Sequence, residues 1–300
     1  METLETCLFP SKMKRRFWPL LVGISYILLI YVLGGLRVDH VVIGLLSLLD
    51  YYNIRTRLFL KYFLAFILTG VVYDFMRYFY WEAISREYIY VKEPYYRDLA
   101  WFGIQGLTPN EFFQKHHWPF VDLITGAAYL TFVFEYLSVG FYLFAKNNLR
   151  LLWAFGWTFF VVNVLGYCIY FIYPAAPPWY IIKYGFQTRL DVGPDAGAAI
   201  RFDQILGTHF FNQMYGRGVD VFGAYPSLHV AYPFLVCWIT FTLPDLTWAR
   251  IPAVIFYFLM CFSAVYLQHH YVIDILLGTG LAASTAFMTT KILNRKSSRV

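Results

Sequence analysis

Long apolar runs, separated by short polar stretches, set the pattern of this chain from residue 17 to residue 291. Runs at about 17–36, 58–80, 119–145, 151–173, 226–243, 251–268 and 271–291 each approach the length a helix needs to cross the hydrocarbon of a bilayer. A shorter run, Val41 to Leu49, falls well below that length and predicts a short helix over about Val38 to Tyr51. The pattern therefore predicts an all-α, polytopic membrane bundle of about 8 transmembrane helices, the short second one included. Two longer segments interrupt it, at about 81–118 and 174–225. The first mixes Tyr, Trp and charge, as an amphipathic cap at the interface does. The second holds Gly193, Pro194, Gly197, Gly216 and Gly218 and cannot be one regular element. The apolar and aromatic content of both predicts ordered loops and amphipathic helices.

Composition sharpens this picture. Of 300 residues, 59% are hydrophobic and only 14% charged, against roughly 25% charge in soluble domains. A mean hydropathy of +0.52 excludes both a soluble enzyme and disorder. The net charge of +6 has no basic cluster that would fit a nucleic acid; Lys and Arg flank the apolar runs instead. Lys12, Lys14, Arg15 and Arg16 precede the first run, which reads as a retained start-of-transfer anchor, and Lys291, Arg295, Lys296 and Arg299 follow the last. The positive-inside rule places both termini in the cytoplasm, which requires an even number of crossings and makes Val38–Tyr51 one of them. The segments so assigned to the inside hold 14 basic residues, the rest of the chain 10. Four cysteines with no Cys-x-x-Cys spacing give neither a disulfide framework nor a metal motif.

Ionisable residues at the ends of apolar runs are the candidate chemistry. In Tyr225-Pro226-Ser227-Leu228-His229, a helix starting at Pro226 leaves the N–H groups of Ser227, Leu228 and His229 unpaired, which makes an anion site. In His269-His270-Tyr271-Val272-Ile273-Asp274, His270 and Asp274 lie four apart on one helix face. A carboxylate there can accept the proton of one imidazole nitrogen and leave the other free as a nucleophile. Only His270, not His269, has that carboxylate. The crossings between the two groups return the chain to the same, extracytoplasmic, face.

Pro226-Ser227-x-His229 and His270-x-x-x-Asp274 resemble the second and third signatures of the type 2 phosphatidic acid phosphatase superfamily. With Tyr173-Pro174-Ala175-Ala176-Pro177-Pro178-Trp179-Tyr180, Phe222-Gly223-Ala224 and His269-His270-Tyr271, the chain looks like the inositol phosphorylceramide synthase branch, the aureobasidin target. The apolar runs predict one integral-membrane domain over 1–300, with 1–57 as peripheral N-terminal helices; the resemblance covers about 60–291 and implies a six-helix-type catalytic core over 119–291 carrying motifs at 173–180, 222–229 and 269–274. It implies a phosphotransferase that moves phosphoinositol from phosphatidylinositol to a ceramide-type hydroxyl and releases diacylglycerol. His270 is then the nucleophile, Asp274 its orienter, and His229 the acid and base. Ser227 and Tyr225 join the substrate site. No cofactor or metal is implied, and the partners are a phospholipid donor, a lipid-hydroxyl acceptor and the bilayer, with no nucleic acid.

The chain departs from the phosphatase pattern where the family carries cations. The first-signature Lys and Arg are replaced by Pro-Pro-Trp-Tyr, and Ser263-Ala264 stands in place of Ser-Arg. Arg77, Lys183, Arg201 and Arg217 are the candidate replacements for phosphate binding, Arg77 having Asp74 at helical spacing as an alternative partner. Trp179 and Tyr180 are expected to seal the pocket against water, under a roof formed by 174–225. A lipid phosphate phosphatase using water, and a non-enzymatic lipid transporter, remain the alternatives.

Overall fold

The structure, a computed structural model, describes residues 17–51, 53–84 and 88–297, the last three by their backbone alone. Cys7, the basic cluster at Lys12, Lys14, Arg15 and Arg16, and Arg299 lie outside the described residues, as do the side chains of Arg295 and Lys296.

Every apolar run becomes a helix. In chain order the helices are α1 (Trp18–Val32), α2 (Val38–Leu46), α3 (Ile54–Phe75), α4 (Tyr80–Ala83), α5 (Lys92–Phe102), α6 (Pro109–Lys115), α7 (Pro119–Ala145), α8 (Leu149–Ile172), α9 (Pro178–Tyr184), α10 (Ile200–Leu206), α11 (Phe210–Tyr215), α12 (Leu228–Thr242), α13 (Thr247–Tyr266) and α14 (Val272–Ser297). Among the described residues, five segments are long and apolar enough to cross a membrane: Ile54–Tyr78, Pro119–Ala145, Leu149–Ile172, Pro244–Tyr266 and Val272–Asn294. In each, half or less of the most apolar stretch is buried, and Phe134, Ile172, Ile251, Phe258 and Phe287 are exposed. Water would penalise that surface and lipid accepts it. α1 and α12 are shorter apolar helices of 15 residues each. The short second helix is present as α2 plus a 3-10 turn, Ser47–Tyr51. Its nine α-helical residues rise only about 14 Å, under half of the hydrocarbon thickness.

The chain forms two compact units, Met1–Leu68 and Thr69–Val300, the boundary falling inside α3. In the first, α1 and α2 pack backbone to backbone at Gly23 and Gly44: a Cβ on Gly23 would sit 2.4 Å from the Gly44 carbonyl oxygen. In the second, α12 is the central element and packs against α7, α8, α13 and α14. It is therefore apolar nearly all round, with Val230, Ala231, Leu235, Val236 and Ile239 buried.

The described residues of both long polar segments are ordered. Thr108 accepts from the Glu111 N–H while the Glu111 carboxylate takes the Thr108 N–H, a capping box that starts α6. Tyr90, Ala175 and Gly223 form two parallel bridges, with Ala176 N–H donating to Tyr90 and Ala175 N–H to Phe222. That clasp lays the 173–180 stretch beside the 222–229 stretch. On α10, Arg201 donates to Asp122 of α7 at 2.7 Å, a pair almost out of solvent, and ties the 174–225 segment to the bundle.

Candidate active site

The turn after α13 and the start of α12 bring the two histidines together. His229 Nδ1 and His270 Nε2 are 3.2 Å apart. His270 Nδ1 lies 2.8 Å from the Ala224 carbonyl oxygen, which can only accept, so His270 carries its proton on Nδ1. Its Nε2 then presents a lone pair, and the His229 Nδ1–H points at it. This differs in one respect from the sequence expectation. The acceptor of the His270 proton is the Ala224 carbonyl; the Asp274 carboxylate stands 3.7 Å from the same nitrogen. Asp274 Oδ2 instead accepts the Tyr271 N–H at 2.8 Å and closes the first turn of α14. Its charge still faces the imidazole, where it favours the cationic form.

The helix start is also corrected. α12 begins at Leu228, not Pro226, because the Ser227 N–H donates to the Asp274 carbonyl at 2.9 Å and Tyr170 donates to the Pro226 carbonyl at 3.0 Å. The unpaired N–H groups at the helix start are thus those of Leu228, His229 and Val230. The Ser227 hydroxyl is buried and has no hydrogen-bond partner among the described residues.

The candidate cations are mostly engaged elsewhere. Arg77 grips Asp74 through both Nε (3.0 Å) and Nη2 (2.7 Å) and reaches the Arg217 carbonyl. Lys183 pairs with Asp195 at 2.6 Å, and Arg201 with Asp122. Arg217 is exposed. Trp179 and Tyr180 are buried; the Tyr180 hydroxyl donates to Gln187 and accepts from the Arg189 N–H, holding the turn after α9. Tyr225 is half-buried against Tyr173, ring centroids 4.7 Å apart. Among the described residues no group of three or more His, Cys, Asp and Glu side chains is placed to hold a metal ion.

A motif pair joined in space, at the start of one helix and beside another, is a family-level signature, and sequence comparison agrees with it. The PAP2 superfamily profile matches residues 100–288. The chain belongs to the PAP2 superfamily. Within it, the chain is 33% identical to the phosphoinositol dihydroceramide synthase of Bacteroides thetaiotaomicron, over 91% of this chain and 90% of that protein. It is 30% identical to the inositol phosphorylceramide synthase of Candida albicans over 55% of this chain and 34% of the other. It is 32% identical to the inositol phosphorylceramide synthase catalytic subunit of Saccharomyces cerevisiae over 40% and 30%. No solved structure gives a significant match.

Around this PAP2 motif pair the structure adds residues that the motifs do not contain. Tyr129 of α7 stacks on His229 at 4.6 Å and on His269 at 5.1 Å, and Phe132 meets His229 edge-on at 5.3 Å. His269 also stacks on Tyr215, with ring centroids 4.5 Å apart and planes nearly parallel. Burial drives the His269 imidazole well below its ordinary pKa, so it stays neutral. Asn110 donates to the carbonyls of Val265 and His270, at 2.8 and 3.0 Å, and fixes the turn that carries His270. Asp98 of α5 accepts the Ile273 N–H at the start of α14. Burial, with the Asp274 charge beside it, pushes the Asp98 carboxyl up to about 7.

Proposed function

We propose that this chain is a membrane phosphotransferase that moves phosphoinositol from phosphatidylinositol to a ceramide-type hydroxyl through a phosphohistidine on His270. The carrying observation is the pair of imidazoles 3.2 Å apart, with His270 Nδ1 donating to Ala224 and its Nε2 lone pair facing the His229 Nδ1–H. The similarity to named inositol phosphorylceramide synthases supports the substrate class.

In the first displacement His270 Nε2 forms a bond to phosphorus and the bond to the diacylglycerol oxygen breaks. Protonated His229 gives its Nδ1 proton to that oxygen, so diacylglycerol leaves neutral. The bound phosphodiester anion itself favours the protonated form of His229. The N–H groups of Leu228, His229 and Val230, with the Ser227 hydroxyl, receive the phosphoryl oxygens as charge grows. With three of the four candidate cations already paired, these neutral donors carry most of that task. In the second displacement His229, now neutral, takes the proton of the acceptor hydroxyl. The acceptor oxygen bonds to phosphorus, the phosphorus–nitrogen bond breaks, and His270 is restored. Asp274 and the Ala224 carbonyl hold the His270 imidazole through both steps.

The sidedness belongs to the same proposal: both termini cytoplasmic, and His229 and His270 on the extracytoplasmic face, periplasmic or lumenal. Mass spectrometry of lipids formed by the purified protein from phosphatidylinositol and ceramide tests the function. Inositol phosphorylceramide and diacylglycerol should appear in equal amounts. Diacylglycerol with free inositol phosphate and no transferred product would instead mean a phosphatase.

A further inference from the structure

The segment between α11 and α12 places a carboxylate that neither motif contains, Asp220, within electrostatic range of His270. Asp220 is held from one side only. The Tyr73 hydroxyl donates to Oδ1 at 3.1 Å and accepts the Val219 N–H at 3.4 Å, and the Tyr80 hydroxyl accepts the Phe222 N–H at 2.9 Å. Two tyrosines thus fix the 219–222 backbone and aim the side chain. Oδ2 accepts no hydrogen bond from any described side chain, and no cation among the described residues lies within ion-pair distance of Asp220. Oδ2 rests over Gly223, where a Cβ would fall 1.7 Å away; only glycine leaves that space. The next residue, Ala224, holds the His270 proton. His270 is within electrostatic range of Asp220, as are Tyr80, Tyr167, Tyr170 and Tyr215.

A carboxylate oxygen without a paired cation, within electrostatic range of several tyrosine hydroxyls and of His270, is chemistry suited to neutral hydroxyl groups. Each hydroxyl of a polyol donates one hydrogen bond and accepts others, and the carboxylate and phenols supply both complements. A cyclitol ring esterified to a phosphate on His270 has its hydroxyls within a few ångströms of that phosphate. We propose that Asp220 is a specificity residue whose Oδ2 accepts ring hydroxyls of a polyol headgroup, with Tyr73 orienting it. This assignment rests on the transferase reading above and adds the group that selects the headgroup. Burial pushes the Asp220 carboxyl up to about 6.

The test compares donors on the full-length protein in lipid nanodiscs. kcat/KM is measured for phosphatidylinositol, for phosphatidylethanol, which has no headgroup hydroxyl, and for phosphatidylcholine, whose cation a carboxylate could also attract. The wild type should prefer phosphatidylinositol. Asp220→Asn should lower its preference over phosphatidylethanol by about tenfold or more, the usual worth of a charged hydrogen bond. Tyr73→Phe, which keeps the ring, should shift the same ratio in the same direction by less, and it serves if the Asp220 variant fails to fold. A role in loop structure alone lowers both donors together and leaves the ratio unchanged; that result overturns the assignment. A wild type that prefers phosphatidylcholine, or does not discriminate, overturns it too. A wild type that consumes none of the three donors overturns the transferase reading itself.

Discussion

At Gly278 one added methyl group would disturb the geometry of the candidate site. It sits on α14 one turn beyond Asp274, with the start of α12 lying directly on it. A Cβ there would fall 2.1 Å from the Ser227 carbonyl oxygen, 2.9 Å from its carbon and 3.2 Å from its nitrogen. All three are backbone atoms, so no side-chain rotation relieves the overlap. Ordinary carbon–oxygen contact begins at about 3.3 Å, so Gly278→Ala must push the two helices apart by about 1 Å. That separation stretches the Ser227 N–H bond to the Asp274 carbonyl and opens the 3.2 Å gap between His229 and His270. Misplacement on this scale costs about 100-fold in rate, and overpacking costs about 1–3 kcal/mol of stability. Gly280→Ala is the control, because nothing lies within 4 Å of its Cβ position on the same helix. It should keep full turnover, with stability raised by up to about 1 kcal/mol from helix propensity. Transfer rate and thermal unfolding in one detergent, for both variants, make the comparison. Wild-type turnover in Gly278→Ala, or equal losses in both variants, would refute the close apposition of α12 and α14.

Three other outcomes follow from the same geometry. His269→Phe should retain turnover within a few-fold, since a ring that stacks on Tyr129 and Tyr215 is preserved, whereas His270→Phe should abolish it; steady-state transfer assays decide. Asp98 has a folded-state pKa of about 7 against an ordinary 3.8, so its protonated form is favoured by folding. Its stabilisation is complete below the ordinary value and is lost as pH rises through about 7; thermal midpoints should fall across that window, and Asp98→Asn should flatten the fall. Cysteines introduced at Gly193 and Asn294, both exposed, should label from opposite sides of sealed vesicles, and labelling from one side would contradict the proposed topology.

The helices are legible in the sequence because lipid demands long apolar runs, and no soluble alternative competes for them. His229, His270 and Asp274 are legible because they occupy special places: the start of a helix and one face of another. The start of α12 is misread by two residues because the partner that takes the Ser227 N–H lies on α14, 47 positions away in the chain and invisible to local rules. The engaged cations divide in the same way. Asp74, three residues before Arg77, can be seen locally, but Asp122, which neutralises Arg201 across 79 positions, cannot. Tyr129 is one ring in a chain that is 22% aromatic, and only packing distinguishes it from the rest. Asp220, Asn110 and Asp98 sit in polar segments with no periodicity, where a buried carboxylate or amide looks like any solvated one.

In the proposed mechanism His270 carries the headgroup covalently between donor and acceptor. Rapid-quench trapping tests it most directly: purified protein, phosphatidylinositol labelled in its phosphate, no acceptor lipid, and mapping of the labelled peptide under conditions that preserve phosphohistidine. Label on His270, discharged when ceramide is added and absent in His270→Ala, is the expected result. Label on His229 or His269, or undiminished transfer by His270→Ala, would contradict the account.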